Sequence, residues 1–176
     1  MTIKVTIVDY NPIWPELFEL EKGKLLAAVG DYVLDIQHVG STAVPGLAAK
    51  PVIDIMIGVR TLAEADAACI EPIAQLGYEY VQAFETVMPF RRYFRKDSPD
   101  GVRTHQIHLV ERESEWWQRH LAFRDYLRSH QETRGAYEQF KRNLATQEWE
   151  TINDYAEAKT DFIRTIEAKA RAEWQS

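Results

Sequence analysis

Two strand-like runs, Tyr32–Val39 and Pro51–Val59, flank a loop, Gly40–Lys50, that carries Gly40, Pro45 and Gly46. This strand–loop–strand unit constrains the fold more than any other segment. In the second run Ile53, Ile55 and Ile57 share one face, so Asp54 points to the other, beside Val52 and Met56. A lone acid on so apolar a strand costs several kcal/mol if it is buried without a partner. A metal ion, an arginine or lysine, or exposure at the sheet edge must compensate. The Gly40-Ser41-Thr42 turn offers small residues, backbone donors and two hydroxyls, and such a turn can approach a phosphate closely. His38 and Lys50 flank it and can add positive charge.

The rest of the chain reads as a sheet followed by helices. Lys4–Val8 alternates as a short edge strand. Pro15 suits the first turn of a helix over Glu16–Val29, with Leu17, Leu20 and Leu25 inward and Gly30 at its end. Thr61-Leu-Ala-Glu64 reads as a capping box for a helix through Leu76, closed by Gly77. Tyr78–Val81 is a short strand, and Ser98-Pro-Asp-Gly101 turns a hairpin between Pro89–Arg95 and Thr104–Glu111. Beyond Glu111 the period becomes helical. Trp116, Phe123 and Leu127 line a first helix. Ser129-His-Gln-Glu132 reads as a second capping box, before Tyr137, Phe140 and Leu144. Thr151–Ala172 forms a last helix. The expected fold is therefore α+β: a mixed β-sheet part over 1–112 with flanking helices, and a helical C-terminal half over 113–176, joined without a linker as one domain.

Composition narrows the function classes. The single cysteine, Cys69, excludes an intramolecular disulfide and a Cys-rich zinc site. No apolar run is long enough to span a bilayer and no signal region stands at the start, so a cytoplasmic chain without a membrane partner is expected. The net charge of −6 argues against nucleic acid, whose binding comes largely from phosphate neutralisation. It leaves room for a small anionic or nucleotide ligand at a local basic cluster, and Arg91, Arg92, Arg95 and Lys96 make one. Nothing in the sequence fixes the oligomeric state.

The block His38-Val-Gly-Ser-Thr-Ala-Val-Pro-Gly-Leu47, with Ala49-Lys-Pro51 and Ile53-Asp-Ile55, closely resembles the GrpB family. The likeness extends to Tyr10-Asn-Pro-Ile-Trp14, His105–Leu109, Phe123-Arg-Asp-Tyr-Leu-Arg128 and Lys159-Thr-Asp-Phe-Ile163. That family is regarded as a branch of the DNA polymerase beta-like nucleotidyltransferase superfamily. The resemblance thus implies a nucleotidyltransferase-like fold and metal-dependent transfer from a nucleoside triphosphate to a small-molecule or protein acceptor. In that superfamily a Gly-Ser turn is followed by two alternating acids that hold divalent metal. This sequence keeps Gly40, Ser41 and Asp54 but has Met56 at the second acid, and a thioether is a poor ligand for magnesium.

His108, of the same parity as Gln106, is the residue expected to complete the site, as acid or base or as a metal ligand. Asp54 and His108 are thus the candidate catalytic pair. His38, Asp54 and His108 are the candidate ligands for magnesium, manganese or zinc. Gly40, Ser41, Thr42, Lys50, Arg91 and Arg95 are the candidate substrate-binding set, the arginine fork suiting anions. A binding module without catalysis, or a hydrolytic transition-metal site, are the competing expectations. Arg124 and Asp125 are expected to brace helix against sheet, and Lys141 and Lys159 can reach a triphosphate from the helical half.

Overall fold

The computed structural model describes residues 2–174. Its elements are β1 (Ile3–Lys4), α1 (Trp14–Val29), β2 (Val33–Val39), β3 (Ile53–Val59), α2 (Leu62–Ala68), α3 (Ile70–Gln75), β4 (Glu79–Tyr80), β5 (Arg91–Asp97), β6 (Arg103–Glu111), α4 (Glu115–Ser129), α5 (Gln131–Ala145), β7 (Glu148–Trp149), α6 (Ile152–Glu157) and α7 (Thr160–Trp174). Five strands form one mixed sheet in the order β2-β3-β6-β5-β4. Only the β3–β6 pairing is parallel within it. The α+β expectation holds.

β3 is central, and its apolar run follows from that. Ile53, Ile55 and Ile57 face α1 and α3, in a core with Phe18, Leu25, Ile73, Phe94, Ile107 and Leu109. The opposite face is covered at Met56 and Val110 by Trp116 and Trp117 of α4. The Gly40–Lys50 loop sends Val44 and Leu47 into a separate cluster with Phe123, Leu127, Tyr137 and Ile166. Sheet and helical half are therefore locked together through this loop.

Several local expectations are corrected. The first helix starts at Trp14, because Asn11 Oδ1 accepts the Ile13 amide at 3.0 Å. Its buried stripe is Trp14, Phe18, Glu21, Leu25 and Val29, whereas Leu20 is exposed. Buried Glu21 is matched by Lys24 at 2.9 Å and Lys96 at 2.7 Å. The expected helix from Thr61 to Leu76 breaks at Cys69, since Pro72 has no amide to give the Ala68 carbonyl that ends α2. Ser129 does not cap α5; its hydroxyl turns back to the Asp125 and Tyr126 carbonyls at the end of α4. The reciprocal capping box belongs to Thr151 and Asp154. The last helix is divided into α6 and α7. Of the expected edge strand Lys4–Val8 only Lys4 pairs with β7, beside Ile3 just ahead of it, while Val8 bridges to Ala49 of the loop. The hairpin holds, its turn closed by Gly101 at φ +80°. Among the described residues no helix is long and apolar enough to cross a membrane.

Gly58 shows how tightly α4 sits on the sheet. A Cβ there would lie 2.8 Å from Trp117 Cζ3 and 3.1 Å from Arg112 Cβ, whereas one on Gly135, in α5, meets nothing. Gly58→Ala should lower stability by about 1–3 kcal/mol through overpacking. Gly135→Ala should raise it by about 0.5–1 kcal/mol through helix propensity. Urea midpoints of the two variants should thus move in opposite directions.

Candidate functional site

The Gly40 loop is shaped by a close approach. Gly40 has φ +72° and ψ −171°, a conformation that belongs almost wholly to glycine. A Cβ there would also run into the Asp54 carboxylate. Asp54 thus sits directly beneath the Gly-Ser turn. Ser41, next in the chain, accepts a hydrogen bond from the Lys141 ammonium of α5 at 2.9 Å.

The face of the sheet predicted from parity is real. Asp54 accepts from the Gln106 amide. Gln106 Oε1 accepts from the Tyr93 hydroxyl at 2.8 Å, and that hydroxyl accepts from Arg103 at 3.3 Å. The Tyr93 proton must therefore go to Gln106, which orients its amide group towards Asp54. His108 Nε2 stands 3.8 Å from Asp54 Oδ1. Arg91 Nη1 donates to His108 Nδ1 at 3.1 Å, so Nδ1 carries the lone pair and Nε2–H faces Asp54. Burial holds the His108 imidazole below its usual range, against the hydrogen bond to Asp54. Tyr93 and Trp116 wall the ring. Arg91 stacks on Tyr93, and its buried Nε has no partner.

His38 does not join this group. It opposes Ile55 across the β2–β3 pair and lies on the α1 face, stacked on Phe18 at 4.8 Å. The Thr42 hydroxyl donates to the Val52 carbonyl at 3.1 Å, so it accepts from His38 Nε2–H at 2.9 Å. His38 and Thr42 brace the loop. The expected ligand triad of His38, Asp54 and His108 is thereby corrected: among the described residues no three His, Cys, Asp or Glu side chains converge on a metal position. Met56 is fully buried among Val39, Val110, Trp116 and Trp117. Arg95 shares the Asp54 face but is held by Glu79 at 2.6 and 2.8 Å, and Arg92 is held by Asp66.

Two lysines stand near Asp54. Lys50 is half-buried, and burial with Arg103 nearby lowers its ammonium, against the pull of Asp54. Burial likewise lowers Lys159 to about 8, opposed by Asp54. Lys159 lies over the Tyr155 ring at 4.6 Å. Neither ammonium has a hydrogen bond or ion pair among the described residues; Asp54 acts on both, and Asp97, paired with Arg103 at 2.5 Å, also acts on Lys50. A divalent ion does not fit there, because Asp54 stands amid lysine and arginine and Asp97 is already paired with Arg103, which leaves too few oxygen ligands and too little negative charge. Sequence reasoning passed over Arg103 and undervalued Lys141 and Lys159. Lysines and arginines at such positions, Lys141 on α5, Lys159 just before α7 and Arg103 at the start of β6, give no local signal, because long cationic side chains are common on any surface. A cavity of about 370 Å³ between α5 and α7, lined by Glu132, Thr133, Phe162 and Lys169 among others, shares no residue with this cluster.

The helical half also fixes the loop backbone. Arg128 gives two hydrogen bonds to the Ala43 carbonyl, at 2.8 and 2.9 Å. Arg124 reaches the His38 carbonyl at 3.0 Å and Gln37 at 2.8 Å, the bracing expected of it. Glu138 accepts the Ala48 amide at 3.0 Å while Lys141 donates to the Ala48 carbonyl.

Burial lowers His38 from the usual 6.5 to about 4. The unfolded chain therefore takes up this proton first. Stability is intact above about pH 6.5 and is lost as pH falls towards 4, by up to about 3 kcal/mol. His38→Gln keeps a donor for Thr42 and does not titrate. Its urea midpoint should fall less than the parent's between neutral pH and about pH 4.5; equal declines would refute the assignment.

The model of the GrpB protein family matches residues 4–169. The chain is 39% identical over 168 residues to UPF0157 protein YqkA of Bacillus subtilis, covering 96% of this chain and 48% of that protein. It is 34% identical over 165 residues to the Glutamate-rich protein GrpB of Alkalihalophilus pseudofirmus, covering 93% and 94% of the two. The crystal structure of conserved protein GrpB from Enterococcus faecalis superposes with a TM-score of 0.84 at 35% identity, over 97% of this chain and all of that one. Through its matched span, its relatives and its fold, the chain belongs to the GrpB family.

Proposed function

We propose that this protein binds a phosphate-bearing metabolite, a nucleoside triphosphate first among them, without a divalent metal as its anchor. The observation that carries this reading is the pair of half-buried lysines, Lys50 and Lys159, with no ion-pair partner among the described residues. Desolvating an ammonium is costly, and an anion that brings its own charge into the site recovers that cost. Lys50 and Lys159 would take the phosphate charge, while the Gly40–Thr42 turn lets it approach. Arg91, whose buried Nε lacks a partner, adds a further donor.

Asp54 has a different part in this reading. Fixed by Gln106 and facing His108 Nε2–H, it balances the cations and can accept a hydroxyl of the ligand. Metal-dependent nucleotidyl transfer, implied by the superfamily resemblance, wants a second carboxylate where Met56 is packed under α4. A nucleotide held by lysines without a metal needs no second acid there.

Calorimetric titration with ATP, CTP, GTP, UTP and inorganic triphosphate, in the presence of a chelator, tests this. Binding should persist without metal and weaken as salt rises. Lys50→Ala and Lys159→Ala should each weaken it about tenfold, the scale of a charge-assisted hydrogen bond. Asp54→Asn should leave binding in place. No binding by any of these compounds at millimolar concentration, or binding only with magnesium or manganese, would overturn the proposal.

A further inference from the structure

Lys141 is an unusual choice for a structural brace. Its side chain is almost wholly buried and lies over the Tyr137 ring at 4.8 Å. It makes no ion pair among the described residues, and donates only to Ser41 Oγ and the Ala48 carbonyl. Elsewhere in the same loop the fold braces a carbonyl with arginine, as Arg128 does for Ala43. Arginine keeps its charge when buried, whereas lysine gives it up. A lysine at this position therefore supplies something an arginine cannot: a neutral amine touching a hydroxyl.

The hydroxyl is well placed to use it. Ser41 is only partly buried, directly follows Gly40 above Asp54, and stands on the loop that carries Lys50. In the neutral state Nζ can keep one N–H on the Ala48 carbonyl and turn its lone pair to Ser41. We propose that Ser41 and Lys141 are a nucleophile and general-base pair, through which the terminal phosphoryl group of a nucleoside triphosphate passes to Ser41. The step rests on the ligand class proposed above. Nζ takes the hydroxyl proton as Oγ attacks the terminal phosphorus. The Oγ–P bond forms and the bond from that phosphorus to the bridging oxygen breaks. The nucleoside diphosphate leaves with the electron pair, and the proton stays on Lys141.

The groups around Lys141 favour the neutral amine. Burial lowers its pKa to about 7, aided by Lys159 from the segment before α7 and by Arg142 on its own helix. Glu138, also on α5, opposes this. Tyr137, held far above its usual range by burial, remains a neutral phenol beside Ser41. The base is thus available at neutral pH, where general-base catalysis is most effective.

A small dialkyl fluorophosphate tests the pair on the whole folded chain. The probe forms the same Oγ–P bond and releases fluoride. Peptide mapping should place the label on Ser41, and Ser41→Ala should remove it. The rate should rise as pH passes through about 7, and Lys141→Met should slow it about a hundredfold. No label on Ser41, a flat rate across neutral pH, or an unchanged rate in folded Lys141→Met would overturn the pair. If Lys141→Met does not fold, the pH profile of the parent decides. Incubation with the four nucleoside triphosphates should then add one phosphoryl group to Ser41, and binding without that gain overturns the transfer. The probe carries no nucleotide, so the two ideas fail separately. Labelling without nucleotide binding removes the ligand class and leaves the pair. Nucleotide binding without labelling removes the pair and leaves the ligand class.

Discussion

The fastening of the Gly40–Lys50 loop from both sides is the constraint on which the rest of the structure depends. From the sheet side, His38, Thr42 and the Val52 carbonyl form a short chain of hydrogen bonds beneath it. From the helical side, Arg128, Glu138 and Lys141 take its backbone groups, and Val44 and Leu47 are buried among Phe123, Leu127 and Tyr137. A loop with so many backbone groups out of water must have each one satisfied, because an orphaned group costs about 1–3 kcal/mol. The arginines and the lysine of α4 and α5 meet that requirement. They also fix where Ser41 stands relative to Asp54.

Charge then decides what the loop can do. Asp54 stands among Lys50, Lys159, Arg91, Arg103 and His108, with Asp97 the further acid, paired to Arg103. A protein with net charge −6 thus concentrates cations at one place, and its acidic balance lies elsewhere. A cluster of this sign is what the proposed binding of an anion rests on. Met56 belongs to the same logic. It fills the space beneath Trp116 and Trp117 that an acid would have left polar, and it ties α4 to the sheet.

Much of this was legible along the chain, for stated reasons. The alternation of Ile53, Ile55 and Ile57 placed Asp54 on the opposite face, and the same parity put Gln106 and His108 beside it, because strand geometry allows only two faces. Pro-Asp-Gly at 99–101 marked the hairpin, because only glycine turns at φ +80° without strain. Parity also shows its limit. Arg91 and Arg95 share a face, yet one meets His108 and the other is taken by Glu79 at the sheet edge. His38 appeared to flank the site, but the antiparallel pairing of β2 with β3 sets it against Phe18. Ser129 looked like a cap because its spacing to Glu132 fits the motif, and it instead closes the preceding helix. Hydroxyls bond whichever backbone group is free, and sequence alone does not name it.

By itself the sequence determined the sheet-then-helix order, the Gly-Ser turn, the direction of Asp54 and the resemblance that the family match upholds. These follow from local geometry and from motif, which need no knowledge of distant residues. Only the tertiary structure decided that Lys141, far along the chain, touches Ser41, that Lys159 and Lys50 share one carboxylate, and that His38 is a brace. Burial and long-range pairing set those roles. A lysine on a helix is an ordinary solvated charge until the fold withdraws water from it.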